Sequence, residues 1–152
     1  MKHFICSLLI VFFFSCNNDE KNETKDYRVE NDQEILDYLK ANSLEAQKSD
    51  SGLYYIIDTA GSGEKPTSSS SVTVAYKGYF TNGSVFDQSD ANGVTFGLNQ
   101  VIKGWTEGIQ YFNEGGEGVL LVPSHLGYGS SNYRSIPGGS VLIFDIKLLE
   151  IN

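Results

Sequence analysis

The segment from Val72 to Phe80 alternates with a period of two and then meets Asn82-Gly83. Val72, Val74, Tyr76 and Gly78 fall on one face; Thr73, Ala75, Lys77 and Tyr79 fall on the other. Such alternation is the pattern of a half-buried strand, because successive side chains of an extended chain point to opposite faces. Asn-Gly accommodates the positive φ angles of a tight hairpin turn, so a second extended segment is expected over Val85 to Asp87. A chain constrained in this way must build an antiparallel sheet, and the remaining segments agree. Leu53 to Asp58, Glu117 to Val122 and Val141 to Ile151 read as strands, with 16 glycines to turn between them. Trp105 to Phe112 reads as a short helix, with Trp105, Ile109 and Phe112 spaced to share a face. Ala60 to Ser71 and Pro123 to Ser140 read as loops. The second is long and more apolar than a solvated loop needs to be, carrying Tyr128, Tyr133, Ile136 and Pro137.

The N-terminal third reads differently. Lys2 followed by the apolar run Phe4 to Phe14 has the length of a secretory signal and is too short to span a bilayer. Ser15-Cys16 at its end resembles a bacterial lipobox, in which the cysteine is acylated and becomes the first mature residue. Residues 1–15 are therefore expected to be a lipoprotein signal peptide, with Cys16 lipidated and the protein held at the cell envelope, on the periplasmic side of the inner or outer membrane. Residues 16–30 are polar and read as a flexible tether. Asn31 is a candidate N-cap with Glu34 three residues on, opening a helical extension over residues 31–48 whose apolar face is Ile35, Leu36 and Leu39. Residues 49–152 remain as the folded domain.

Several chemistries are excluded. The net charge of −8 repels phosphate, so nucleic acid is a poor partner. Both cysteines, Cys6 and Cys16, precede the domain, which leaves it no thiol. His125 is the only histidine beyond His3, so a zinc site lacks ligands and no metal is expected. Ser124-His125 has no nucleophile-elbow context, and Gly61-Ser62-Gly63 lacks the Lys-Ser/Thr of a phosphate loop. What remains is an aromatic-rich domain suited to binding an apolar group.

The motifs then become specific. Val74-Ala75-Tyr76-Lys77-Gly78-Tyr79 precedes Asn82-Gly83-Ser84-Val85-Phe86-Asp87. Phe96 and Leu98 lead into Val101-Ile102-Lys103-Gly104-Trp105-Thr106-Glu107-Gly108. Pro123 is followed by Leu126-Gly127-Tyr128-Gly129, then Ile136-Pro137, and the order closes on Leu142-Ile143-Phe144-Asp145-Ile146-Lys147-Leu148-Leu149. Taken together, from about Leu53 to Ile151, these resemble the FKBP-type peptidyl-prolyl cis-trans isomerases, and Ser130 to Arg134 is the stretch that matches none of the motifs. The resemblance implies an α+β fold, a strongly bent antiparallel sheet wrapped around one short helix, here with an N-terminal helical extension. It implies catalytic roles for Tyr76, Phe86, Asp87, Trp105 and Tyr128, and substrate binding by Phe96, Val101, Ile102, Ile136 and Phe144. It further implies proline-containing polypeptide clients among exported proteins, inhibition by a macrolide of the FK506 type, and no cofactor. The lipoprotein layout is similar to that of members associated with bacterial gliding motility. On this reading Asp87 takes a Tyr hydroxyl or backbone N–H as partner, and Asp87→Leu and Trp105→Ala lower turnover with the fold largely intact. The competing readings are a non-catalytic proline-binding or chaperone-like module at the membrane, and an interaction protein acting through the N-terminal helix.

Overall fold

The computed structural model describes residues 25–152. The expected signal peptide, the expected lipidation site Cys16 and most of the expected tether lie outside the described residues. The elements are helix α1 (Arg28–Ala41), strands β1 (Gln47–Lys48), β2 (Tyr54–Thr59), β3 (Ser71–Tyr79), β4 (Val85–Gln88) and β5 (Val94–Gly97), helix α2 (Lys103–Gly108), and strands β6 (Glu117–Val122) and β7 (Leu142–Ile151). The strands form one antiparallel sheet in the order β1-β2-β6-β7-β3-β4, with β5 also on β3. β4 pairs with Lys77, Gly78 and Tyr79, and β5 with Ser71 to Val74, so the two share one edge of β3 while β7 takes the other.

The alternation read in β3 is realised: Val72, Val74 and Gly78 are buried and Lys77 is exposed. The hairpin turn is closed by the Gly83 N–H donating to the Phe80 carbonyl at 2.8 Å. β6 and β7 are instead near-continuous apolar runs, because both faces of the sheet's middle are covered. Leu120, Val122, Leu142, Phe144, Ile146 and Leu148 join the main core with Trp105, Ile109 and Phe112. Leu121 and Ile143, one residue out of phase, pack with Ile35 and Leu39 of α1.

Helix α2 begins two residues earlier than expected and tightens into a 3₁₀ turn over Ile109–Tyr111. Its glycines fix its height above the sheet. A Cβ on Gly104 would stand 2.5 Å from Val122, and one on Gly108 2.6 Å from Leu120. Two glycines four apart share one helical face, so only this bare face lets α2 settle directly onto β6. Thr106 Oγ1 then donates to the Leu98 carbonyl at 2.6 Å and fastens the helix start to the 3₁₀ turn Leu98–Gln100.

Helix α1 departs from expectation in three ways. It starts at Arg28, not Asn31, so residues 28–30 are helical and do not belong to a tether. It ends at Ala41, where Ser43 at φ 54° and a Leu44 N–H to Leu39 carbonyl bond of 2.9 Å turn the chain out. Residues 47–48 are strand. Its buried face is Asn31, Ile35 and Leu39, at spacings of four, whereas Leu36 is 44% exposed. Asn31 caps nothing. Buried at 1% exposure, it donates from Nδ2 to the Gly139 carbonyl and accepts at Oδ1 from the Ser124 N–H, each at 2.8 Å. One side chain on α1 thereby holds both ends of the Pro123–Ser140 loop. The carboxylate of Asp32 ties the same helix to β1 and β2, accepting from Lys48 and from the Tyr54 hydroxyl, and these bonds hold it below its ordinary range.

Candidate functional site

The loop is not structureless. It opens with a 3₁₀ turn over Ser124–Leu126, and Tyr133 and Ile136 exchange two backbone hydrogen bonds of 2.9 Å. Gly139 N–H donates to the Gly129 carbonyl at 2.9 Å, and Gly138 N–H to Asn132 Oδ1 at 2.9 Å. This ordered loop sets Tyr128 and Tyr133 over a cavity of about 380 Å³ lined by Tyr76, Phe86, Asp87, Phe96, Gln100, Val101, Ile102, Trp105, Tyr128, Tyr133 and Phe144. Nine of the ten pocket residues expected from sequence are in that lining. The exception is Ile136, which the Tyr133–Ile136 turn tucks into the main core at 7% exposure, away from the cavity wall. Gln100 and Tyr133 are the lining residues that sequence reasoning missed. Tyr133 stood in a loop already marked as too apolar; nothing local marked Gln100.

Trp105, supplied by α2, is the hub. Its ring meets Tyr76 at 5.1 Å and 89°, Phe144 at 5.3 Å and 81°, and Phe96 at 5.5 Å and 82°. Edge-to-face contacts of this kind set the positive rim of one ring against the negative face of another, and they fix orientation as well as burying area. Trp105 is only 4% exposed, so it belongs to the core as well as to the cavity. Its Nε1 is buried with no hydrogen-bond partner among the described residues. An unmatched donor in a folded protein is uncommon enough to mark a site.

The wall depends on an absent side chain. Phe86 and Phe144 meet at 5.6 Å and 89° beside Gly78, where a Cβ would come within 2.8 Å of the Phe86 ring and 3.0 Å of Phe144. The glycine two residues after Tyr76 is what lets these rings stand edge-on.

Polar chemistry at the rim is confined to a few groups. The Tyr76 hydroxyl donates to Asp87 Oδ2 at 2.7 Å, and the Gln88 N–H donates to Asp87 Oδ1 at 2.9 Å. Asp87 thus has both of the partner types expected for it, although it is solvent-exposed rather than buried. Burial first, and then the bond to Asp87, push the Tyr76 phenol far above its ordinary range, so it remains a donor throughout physiological pH. Burial also raises Tyr128, with Tyr133 and Asp87 adding and Arg134 opposing. Both phenols are therefore fixed as hydrogen-bond donors. A cavity of about 680 Å³ between α1 and the β1–β2 turn is lined by charged groups such as Arg28, Asp32, Lys48 and Asp50 and gathers none of the aromatic rings. His125 lines it, with Nε2 2.8 Å from the Ser51 carbonyl, a rim position consistent with a structural role.

The curved antiparallel sheet closing on a short helix is an architecture shared with solved structures. The chain belongs to the FKBP-type peptidyl-prolyl cis-trans isomerase family, whose model matches residues 62–149. Among named relatives, FkpA of Buchnera aphidicola subsp. Schizaphis graminum is 49% identical over 107 residues, covering 68% of this chain and 42% of that protein. FkpA of Aeromonas hydrophila is 42% identical over 127 residues, covering 81% of this chain and 47% of that one. The chain therefore spans less than half the length of these two relatives. The crystal structure of FkpA from Escherichia coli superposes with a TM-score of 0.73 at 36% identity, over 82% of this chain and 61% of that chain.

Proposed function

We propose that the protein is a peptidyl-prolyl cis-trans isomerase acting on Xaa-Pro bonds of exported polypeptides. The observation that carries this reading is the apolar cage around Trp105 with the Tyr76–Asp87 pair at its rim. Rotation about an amide faces a barrier of about 18–20 kcal/mol because the C–N bond is partly double. In the twisted transition state that resonance is lost, so the carbonyl is less polar and the nitrogen pyramidal. A site accelerates rotation by binding the twisted form better than either planar form. Tyr76, Phe86, Phe96, Val101, Ile102 and Phe144 grip the proline ring against Trp105 and exclude water, which disfavours the more polar planar amide. The Tyr128 hydroxyl donates to a substrate carbonyl and holds the chain while the bond turns. Asp87 orients Tyr76 and acts by its field, not as a base. Ile136 supports the loop from within the core.

The test uses the full chain in a non-ionic detergent on a short Xaa-Pro peptide. Turnover is expected, and a macrolide of the FK506 type is expected to abolish it. Asp87→Leu should lower kcat/KM about tenfold or more, the value of a hydrogen bond to a charged group, with stability little changed because the side chain is exposed. A folded protein without turnover would favour the proline-binding module instead.

The envelope address is part of the same proposal. Residues 1–15 are read as a signal peptide and Cys16 as the lipidated residue, with the helical extension and residues 49–152 displayed on the periplasmic side. The likeness to gliding-motility lipoproteins rests on this layout. Among the described residues no helix is long and apolar enough to cross a membrane. Metabolic labelling with a clickable fatty acid should mark the protein and should fail on Cys16→Ser. An unlabelled wild-type protein would remove the anchor.

A further inference from the structure

Residues 130–134 lie outside every motif of the family resemblance, yet one of them, Tyr133, lines the cavity. Tyr133 lies parallel to Tyr128, with ring centroids 4.4 Å apart and planes 7° from coplanar. The Arg134 guanidinium carbon sits 5.4 Å from the Tyr133 ring centroid. Arg134 holds φ at 51°, in the left-handed region that side-chain-bearing residues rarely adopt. The turn that imposes this conformation is ordered by the paired Tyr133–Ile136 backbone bonds, by Asn132, and by the burial of Ile136. A strained residue held in place by its surroundings points to a use for the side chain it displays.

Among the described residues that side chain forms no ion pair; those present engage Lys25, Arg28, Lys48 and Lys147. This holds in a chain of net charge −8, where carboxylates are plentiful. Asp87, the carboxylate in the cavity lining, accepts from Tyr76 and Gln88 and takes part in none of those ion pairs.

We propose that Tyr128, Tyr133 and Arg134 form a second subsite beside the proline pocket, which selects clients carrying an acidic side chain next to the proline. The proposal rests on the isomerase reading. The stacked tyrosines offer a flat apolar platform for the side chain's methylenes. Arg134, pre-ordered against that platform, offers a planar donor fork matched to a carboxylate. Because the guanidinium is exposed, the discrimination is modest, about two- to fivefold, and shrinks with salt.

The experiment measures kcat/KM of the full chain in non-ionic detergent on peptides that differ at one residue. One set carries Glu, Gln, Lys or Leu before proline and the other Glu or Gln after it, so the set showing the preference locates the subsite. A Glu over Gln ratio of about two to five at low salt is expected, falling towards one at high salt. Arg134→Gln should bring the ratio to one, and Arg134→Glu should turn the preference to Lys. Reading a ratio within each protein cancels any general loss of activity in the variant. A ratio of one in both sets, with the neutral peptides still turned over, overturns the subsite and leaves the isomerase reading standing. A ratio that survives Arg134→Gln also overturns it. No turnover of any peptide overturns the isomerase reading and the subsite together.

Discussion

Trp105→Ala is expected to cost the protein about 3–5 kcal/mol of stability and to abolish isomerisation. The loss has two parts. An indole of 4% exposure leaves a void in the main core, which the surrounding β6 and β7 side chains cannot fill because they belong to a continuous sheet. Tyr76, Phe96 and Phe144 also lose the ring each one meets edge-to-face, contacts worth about 0.5–1.5 kcal/mol apiece beyond their area. Thermal unfolding should shift down by about 10–20 °C, and peptide turnover should vanish even at temperatures where the variant remains folded. The burial of Trp105 argues against the expectation from sequence that its removal leaves the fold largely intact, while its place in the cavity lining is as expected. A variant that melted normally would show that the indole is not core. One that melted early yet turned over peptide normally would show that the catalytic cavity lies elsewhere.

Asn31→Leu is the second large effect, and it falls on a residue with no contact to the cavity. The substitution keeps the bulk of the side chain and removes both of its hydrogen bonds, leaving the Ser124 N–H and the Gly139 carbonyl without their partner. Each buried group left unmatched costs about 1–3 kcal/mol, so a total loss of about 2–6 kcal/mol is expected in chemical denaturation. Because these two groups bracket the loop that carries Tyr128 and Tyr133, kcat/KM should fall as well. The amide of Ser124 should exchange with solvent far faster than in the wild type. A stability change within about 0.5 kcal/mol, the usual range for a surface substitution, would show that the helix does not hold the loop.

Asn31 also shows where sequence reasoning stops. An asparagine ahead of Ile35 and Leu39, with Glu34 three residues on, has the pattern of a helix start. Its real partners are 93 and 108 residues away, and no local pattern can announce them. The strands with strong alternation or long apolar runs were legible: β3, β6 and β7 lie within a residue of where periodicity put them. β5 was not, since four residues after a turn carry too little pattern, and it exists because β3 has an open edge to pair with. β1 is shorter still. The aromatic cavity was legible because its residues sit in ordered motifs. The exchange of Ile136 for Tyr133 was not, because which side of a loop faces inward is decided by the hydrogen bonds that fold it.

The position of β7 between β3 and β6 has a consequence for how the protein is made. Both neighbours precede β7 in the chain, so neither can complete its pairing until β7 has emerged. α1 is the first described element to emerge, and it cannot complete its docking until the same moment, since its core partners include Val141 and Ile143 as well as Tyr54 and Leu121. Folding governed by such distant contacts is slow compared with that of helical bundles, because loop closure must precede any reward. A chain delivered N-terminus first would wait with an exposed amphipathic helix and a half-built sheet, then close the sheet, the helix and the cavity in one late event. Its assembly is all-or-none in time, and the binding site can appear only with the last strand.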